Sequence, residues 1–166
     1  MLPVLTLPQY MHEQTLILIK PDAVQRGLIG RIIERFERKG LKIVGLKMMP
    51  LDDVLLEDHY SHIADKPFFS GTKEFMKSSP VIALVVEGLE CVSAVRVITG
   101  PTKAREANAG TIRGDFAMSI QSNVVHASED LKHAKEEIKR FFTKEELFNY
   151  GRCDYTVMYA KEEKSH

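Results

Sequence analysis

The chain has 166 residues, an ordinary size for one domain, and 44% of them are hydrophobic. Lysine plus arginine total 23 and aspartate plus glutamate total 23, so the formal net charge is zero, which argues against a broadly basic nucleic-acid partner. No apolar run reaches the ~18 residues of a membrane span, and Cys91 and Cys153 are too few for a disulfide framework or a four-thiolate zinc site, which leaves a cytoplasmic protein with reduced thiols as the expectation.

Met1 to Tyr10 is apolar but holds Pro3 and Pro8, and it lacks the basic start and long apolar run of a signal peptide. Residues 1–12 are expected as an N-terminal extension, with Met11 an alternative start. Leu16-Ile17-Leu18-Ile19 reads as a buried strand that Pro21 ends. Leu28, Ile29, Ile32, Ile33 and Phe36 follow helical spacing, with Arg31, Glu34, Arg35 and Arg38 facing away. Gly40 stands where a helix-terminating glycine belongs. Gly27-Leu28-Ile29-Gly30 is too sparse for a phosphate cradle and shapes the start of that helix. Leu41 to Met49 reads as a second strand. Asp52 or Asp53 caps a helix to about Tyr60, and a short helix follows over Thr72–Ser78. Val81–Val86 is a third buried strand, and Glu90–Ile98 a helix with Cys91, Val95 and Ile98 on one face. Thr99–Asp115 has no periodicity and holds Gly100, Pro101, Gly110 and Gly114. A long structureless loop inside a compact domain is usually functional. Val124-Val125 signals a short strand. Ser128 is expected to cap the last helix, with Glu129 and Asp130 in its first turn. Leu131, Ala134, Ile138, Phe141 and Phe142 form its buried stripe. Residues 13–160 then make a single domain and 161–166 a frayed charged tail. The order of elements predicts an α+β, ferredoxin-like βαββαβ sandwich. It has an antiparallel sheet, helices on one face and a long loop at the active site.

The chain has no Gly-x4-Gly-Lys-Ser/Thr loop, no Gly-x-Gly-x-x-Gly and no Gly-x-Ser-x-Gly elbow. His59 and His62 are expected as exposed imidazoles, since no carboxylate or third histidine stands at ligand spacing beside them. No protein metal site is therefore expected. His126 follows Asn123-Val124-Val125 at a predicted strand end, beside a predicted helix start whose N–H groups would favour an anion. Glu137 borders the apolar stripe of that helix and could reach back to one imidazole nitrogen, leaving the other free to attack. On this segment alone, a core histidine with a structural hydrogen bond is the simpler reading. Arg96, Thr102, Lys103, Arg105, Thr111 and Arg113 lie in or beside the loop, a donor set suited to a phosphate chain. For Lys103 and Arg105, solvated surface charge is the preferred reading. Lys20 follows the first strand directly, where a lysine is costly unless it meets an anion.

At these residues a family resemblance emerges. Thr15 to Gly30 (TLILIKPDAVQRGLIG), His59-Tyr60, Lys66-Pro67-Phe68-Phe69, Gly110 to Phe116 (GTIRGDF) and Asn123 to Ser128 (NVVHAS) closely resemble nucleoside diphosphate kinases. The resemblance runs from about Gln14 to Tyr150. It implies the ferredoxin-like fold, a phosphohistidine intermediate, Mg²⁺ carried by nucleotide phosphates, and a homo-oligomer, a hexamer ahead of a tetramer. It makes His126 the phosphorylated nucleophile, Glu137 its orienting partner and Ser128 a neighbour of the imidazole network. Lys20, Tyr60, Arg96, Thr102, Arg113 and Asn123 align with phosphate and ribose contacts, Lys20 also with the catalytic set. Phe68 aligns with the aromatic that stacks on the base. The partners implied are nucleoside di- and triphosphates, with no stable nucleic-acid or membrane partner. The implied reaction is γ-phosphate transfer between nucleotides by a ping-pong route, maintaining NTP and dNTP pools. A catalytically weak nucleotide-binding regulatory module of the same fold is the alternative. An RNA-binding sheet would need exposed aromatics on its central strands, and Leu16–Ile19 and Val81–Val86 contain none. The chain departs from the family at Ala127, usually glycine; at Gln121-Ser122, usually Gly-Arg; at Thr72, commonly leucine; and at Pro101 and Ala104 in the loop.

Overall fold

The computed structural model describes residues 12–163. The expected extension therefore lies outside the described residues except for His12, which opens the first strand. Of the expected tail, 161–163 form a 3-10 turn and the rest is outside. β1 (His12–Ile19) is central in a four-stranded sheet of order β2-β3-β1-β4, with β2 (Lys42–Met49), β3 (Val81–Leu89) and β4 (Val125–Ala127). Every pairing is antiparallel: β1 with β3, β1 with β4, and β2 with β3. The helices are α1 (Pro21–Gln25), α2 (Ile29–Lys39), α3 (Asp53–His59), α4 (Phe69–Lys77), α5 (Cys91–Thr99), α6 (Ile112–Phe116), α7 (Leu131–Phe141) and α8 (Tyr155–Met158). The ferredoxin-like order expected from the sequence is present.

One part of that expectation is corrected: helices cover both faces of the sheet. Strand side chains alternate between faces, so each strand feeds two cores. Ile17, Ile19, Ile82 and Leu84 pack with Ile32 and Phe36 of α2 and with Cys91 and Val95 of α5. Leu16, Leu18, Ala83 and Val85 pack with Leu56 of α3, Met76 of α4, and Ile138 and Phe141 of α7. An unbroken apolar run such as Leu16–Ile19 is what a strand buried on both faces requires. Phe36 is fully buried in the first core. Phe36→Ala is expected to cost ~3–5 kcal/mol of stability. Denaturant unfolding followed by circular dichroism, at fixed protein concentration, checks this.

Local signals explain most element ends. Pro21 sits in the first turn of α1, where its missing N–H costs nothing. Gly40 terminates α2 in the left-handed conformation, φ 99°, with its N–H on the Glu37 and Phe36 carbonyls. Asp52 caps α3 by accepting from the Leu55 N–H at 2.8 Å. The cap of α7 differs from expectation. It is Asp130, which accepts from the His133 N–H at 2.9 Å, and Ser128 lies outside the helix with another task. The stretch expected to be structureless, Thr99–Asp115, instead contains a 3-10 turn at Ala104–Glu106 and most of α6. There the Cα of Gly114 closes on the Asn108 carbonyl, where any Cβ would lie 2.0 Å from that oxygen.

Candidate active site

His126 occupies the middle of β4, opposite Leu18 on β1, rather than the strand end. Its neighbours Val125 and Ala127 join the first core, so alternation sends the imidazole to the other face. There it meets α3 and α7. Its Nε2 lies 3.1 Å from both Glu137 carboxylate oxygens. Ser128 Oγ donates to Glu137 Oε2 at 2.6 Å and accepts from the Leu16 N–H at 3.3 Å. Glu137 is 8% exposed. Burial pushes its carboxyl up, but the hydrogen bond and charge of His126 and the Ser128 hydroxyl outweigh this, leaving it at about 2. An ionised carboxylate only accepts, so Nε2 carries the imidazole proton and the Nδ1 lone pair is bare. The helix start beside His126 that the sequence suggested is absent. α7 begins further on, at Leu131, and its cap carboxylate already takes the His133 N–H.

Positive charge comes instead from side chains. Lys20, at the end of β1, donates to Asn123 Oδ1 at 2.6 Å and to the Gln121 carbonyl at 3.4 Å. An ammonium has three donors, so one remains for an external acceptor. Burial, then the nearby Arg113 charge, pull the Lys20 amine down to about 8, against a smaller pull from Asp22. Arg113 is buried and donates to the Gly100 carbonyl at 2.6 Å and the Val125 carbonyl at 2.7 Å. Its Nε is buried without a partner among the described residues. Burial, then Arg96, bring its guanidinium down to about 10. Lys20, Arg113 and Arg96 thus concentrate positive charge beside the strand that carries His126. A dianionic phosphate is the natural complement to such a field.

Five of the expected residues line one cleft of about 440 Å³: Lys20, Tyr60, Phe68, Thr102 and Asn123. Thr72 and Ile120 line it as well. Asn123 is buried and commits its amide fully. Its Oδ1 takes Lys20, while Nδ2 donates to the Thr102 and Ile120 carbonyls, both at 2.9 Å. It therefore fixes the cleft wall. Phe68 is 58% exposed at the start of α4, an open ring for a stacking partner. Gln121, one of the departures, ties that wall to α4 through the Gly71 carbonyl at 3.0 Å. Arg96, Arg113 and His126 do not line the cleft. Tyr60 links it to the His126 cluster, its ring edge-on to His59 at 4.6 Å.

Two contributors escaped the sequence reading. His62 is exposed as expected, but His59 is not. It is buried, 4.8 Å from the His126 ring at 79° and 5.1 Å from Phe141. Leu56, His59 and Tyr60 share the buried side of the turn, and that i, i+3, i+4 spacing was the available signal. Burial, then the His126 charge, push the His59 imidazole down to about 3. Its Nδ1 is 3.8 Å from Glu137 Oε1, beyond hydrogen-bond reach, and neither nitrogen has a partner among the described residues. Folding thus gathers His59, His126 and Glu137, one ligand-type atom from each lying within 4.8 Å of the others. Val124 is the second. It is fully buried at φ 62°, a region costly for a β-branched residue. The Asp22 carboxylate holds its N–H at 3.1 Å, and the Lys20 N–H holds its carbonyl at 2.9 Å. This turn separates Asn123, in the cleft wall, from His126 on β4.

The family model for nucleoside diphosphate kinase matches residues 13–147. A nucleoside diphosphate kinase from Parabacteroides distasonis is 47% identical over 151 residues, covering 91% of this chain and 99% of the relative. Nucleoside diphosphate kinase A of Mus musculus is 46% identical, covering 89% and 97%. Among solved structures, a halophilic nucleoside diphosphate kinase from Halobacterium salinarum in complex with CDP superposes with a TM-score of 0.88 at 43% identity, covering 90% of this chain and all of that one. A transition-state mimic of the Borrelia burgdorferi enzyme with vanadate and ADP gives 0.81 at 40% identity, covering 86% and 94%. With most of the chain matched by the family model and by relatives of nearly half identity, the chain belongs to the nucleoside diphosphate kinase family.

Proposed function

We propose that this chain moves the γ-phosphate of a nucleoside triphosphate to a nucleoside diphosphate in two steps, with His126 Nδ1 as the phosphate carrier. The observation that supports this most is the hydrogen bonding of Nε2 to an ionised, buried Glu137, which leaves Nδ1 as the free nucleophile. Nδ1 attacks the γ-phosphorus in line and the diphosphate leaves. Glu137 stabilises the positive charge that the ring then carries. The second nucleotide takes the same cleft and accepts the phosphate in the reverse sense. Little covalent work falls to the protein in such a transfer, and positioned charge supplies most of the rate. Lys20, Arg113 and Arg96 supply that charge, Thr102, Tyr60 and Asn123 frame phosphate and ribose, and Phe68 stacks on the base. Mg²⁺ is taken to arrive with the nucleotide phosphates. Incubation with γ-labelled ATP should yield an acid-labile, base-stable phosphoprotein. Its absence would favour the regulatory-module alternative.

We take residues 13–160 as one domain, since the stretch after α7 folds back on β2. The Phe148 N–H reaches the Val44 carbonyl and the Tyr150 hydroxyl donates to the Ile43 carbonyl. A homo-oligomer is proposed because β2 is a sheet edge carrying exposed Leu46 and Met48, a surface that invites pairing. Light scattering after gel filtration distinguishes hexamer from tetramer. The cytoplasm is the proposed location, consistent with both cysteines being free thiols.

Glu137→Gln should fold and bind nucleotide but transfer more slowly. The amide offers Nε2 an acceptor without a charge. A loss of ~1–3 kcal/mol, roughly ten- to hundredfold in kcat, is expected. Single-turnover kinetics measure it, and a wild-type rate would remove Glu137 from the mechanism.

Base selectivity should be poor. The cleft addresses phosphate and ribose with polar groups, and its base platform is an exposed phenyl ring. Contacts shared by all nucleotides cancel in a specificity ratio, and stacking tolerates any base. The solved relatives hold a pyrimidine nucleotide, CDP, and a purine nucleotide, ADP. Competition among ADP, GDP, CDP and UDP should give kcat/KM values within about one to two orders of magnitude. Discrimination of ~10⁴-fold would reveal a contact that reads base edges.

A further inference from the structure

The reaction uses one side of the His126 ring. The other side holds Glu137, which the reaction uses, and beside it His59, which it does not. Behind Nε2 stand the Glu137 carboxylate at 3.1 Å and the buried His59 imidazole, whose Nδ1 is 3.8 Å from the same carboxylate oxygen. One ligand-type atom from each residue lies within 4.8 Å of the other two. Both His59 nitrogens are buried without a partner among the described residues. Whichever tautomer His59 adopts, it holds one uncommitted lone pair aimed at no donor. An unpaired buried polar group of this kind destabilises the fold, and a ligand that engaged the lone pair would remove part of that penalty. The charges around the cluster leave room for a cation. Glu137 is anionic, and the nearby Arg140 guanidinium is paired with Asp58.

We propose that His59, His126 and Glu137 form an inhibitory site for a borderline transition-metal ion, with Zn²⁺ as the type. Two imidazole nitrogens and one carboxylate are the donor set of three-ligand zinc sites, which leave a fourth position to water. Mg²⁺ prefers an octahedron of oxygens and does not compete for such donors. The ring separations are wider than bonded ligands need, so the three side chains close slightly around the ion. His126 is 22% exposed at its side chain and gives access to the otherwise buried cluster.

The consequence for catalysis rests on the phosphohistidine reading above. In the metal-free protein the imidazole proton sits on Nε2. A metal bound at Nε2 takes that nitrogen's lone pair, so the single proton of the neutral ring moves to Nδ1. Nδ1 then has no lone pair with which to take the phosphate. No proton is lost and no redox change occurs, and metal release restores the original tautomer. The ion silences the nucleophile from behind without entering the nucleotide cleft.

The test uses the full chain in nucleotide-free buffer at constant Mg²⁺, titrated with ZnCl₂ and, for spectra, with CoCl₂. The expected result is one equivalent bound per chain, with the intense visible bands of tetrahedral Co²⁺. In the wild-type protein, ¹⁵N shifts of the His126 ring should pass from the Nε2–H to the Nδ1–H form on adding Zn²⁺. This readout needs no variant and so cannot be confused with misfolding. His59→Gln should weaken Zn²⁺ binding at least ~100-fold, since losing a direct ligand should exceed the 10–100-fold cost of losing a supporting residue. His133→Ala, which removes an exposed His133–Asp130 pair on α7, should leave binding unchanged. Phosphoprotein formation should stop with stoichiometric Zn²⁺ and return with a zinc-selective chelator. Binding that is lost in His133→Ala, binding indifferent to His59, or a His126 ring that stays Nε2–H under saturating Zn²⁺ would each overturn the proposal. Labelling of the metal-free protein is read separately, so failure of the phosphohistidine reading is told apart from failure of the metal site.

Discussion

His126→Ala is expected to abolish phosphotransfer and phosphoprotein formation together, a fall of ~10⁴-fold or more in kcat/KM. No neighbouring group can take over. Ser128 Oγ is committed to Glu137 at 2.6 Å and is buried against β1. His59 is buried behind the His126 ring, with no exposed nitrogen. The Lys20 amine is held on Asn123, in the cleft wall. The fold should survive, because His126 lies on a three-residue edge strand whose backbone pairs remain. Glu137 would lose one of its two partners, at a cost of ~1–3 kcal/mol. Acid-labile label, turnover and a far-UV spectrum are the three measurements. A folded variant that still carried label would place the phosphate on another residue and end the mechanism proposed here.

Much of this site could be read from the chain because its motifs are local. Lys20-Pro21-Asp22 and Asn123-Val124-Val125-His126 each keep their functional groups within a few residues, and the antiparallel pairing of β1 with β4 sets them side by side. The His126–Glu137 contact was legible for the same reason, since a strand and the following helix bring positions 126 and 137 together. His59 was not, because it arrives from α3 across the sheet's second face. Its burial depends on α7 covering that face, and local spacing carries little of that. The Ser128 cap was misread for a related reason. A serine before an acidic pair is a good capping signal, but the Glu137 carboxylate competes for the hydroxyl and wins, leaving the cap to Asp130. The left-handed Val124 runs against every propensity for valine. Only the two hydrogen bonds from α1 and its cap, Asp22 to the N–H and the Lys20 N–H to the carbonyl, make it intelligible.

Lys20→Met should lower kcat/KM by ~10²–10³-fold, the scale of losing one preorganised donor to developing charge. The substitution removes the ammonium and leaves Asn123 Oδ1 without its 2.6 Å donor, so the cleft wall loosens as well. The charge can also be removed reversibly with pH. Burial and the Arg113 charge bring the Lys20 amine down from 10.5 to about 8. The charged form is the one that meets phosphate, so activity should be intact below that value and fall as pH rises through it. The fall belongs to the free protein and appears in kcat/KM. A bound polyphosphate favours the ammonium, so the fall in kcat should lie at higher pH. Lys20→Arg separates charge from geometry. A guanidinium keeps its charge to higher pH than an ammonium, so the variant should hold its activity through the transition near 8. It should still be slower than wild type at pH 7, because its fork does not match the Asn123 contact. It should also lose the alkaline limb. Profiles of kcat/KM for wild type and Lys20→Arg between about pH 7 and 10 decide the matter. A wild-type profile flat across that range, or an identical limb in Lys20→Arg, would assign the alkaline behaviour to another group and take Lys20 out of the phosphate site.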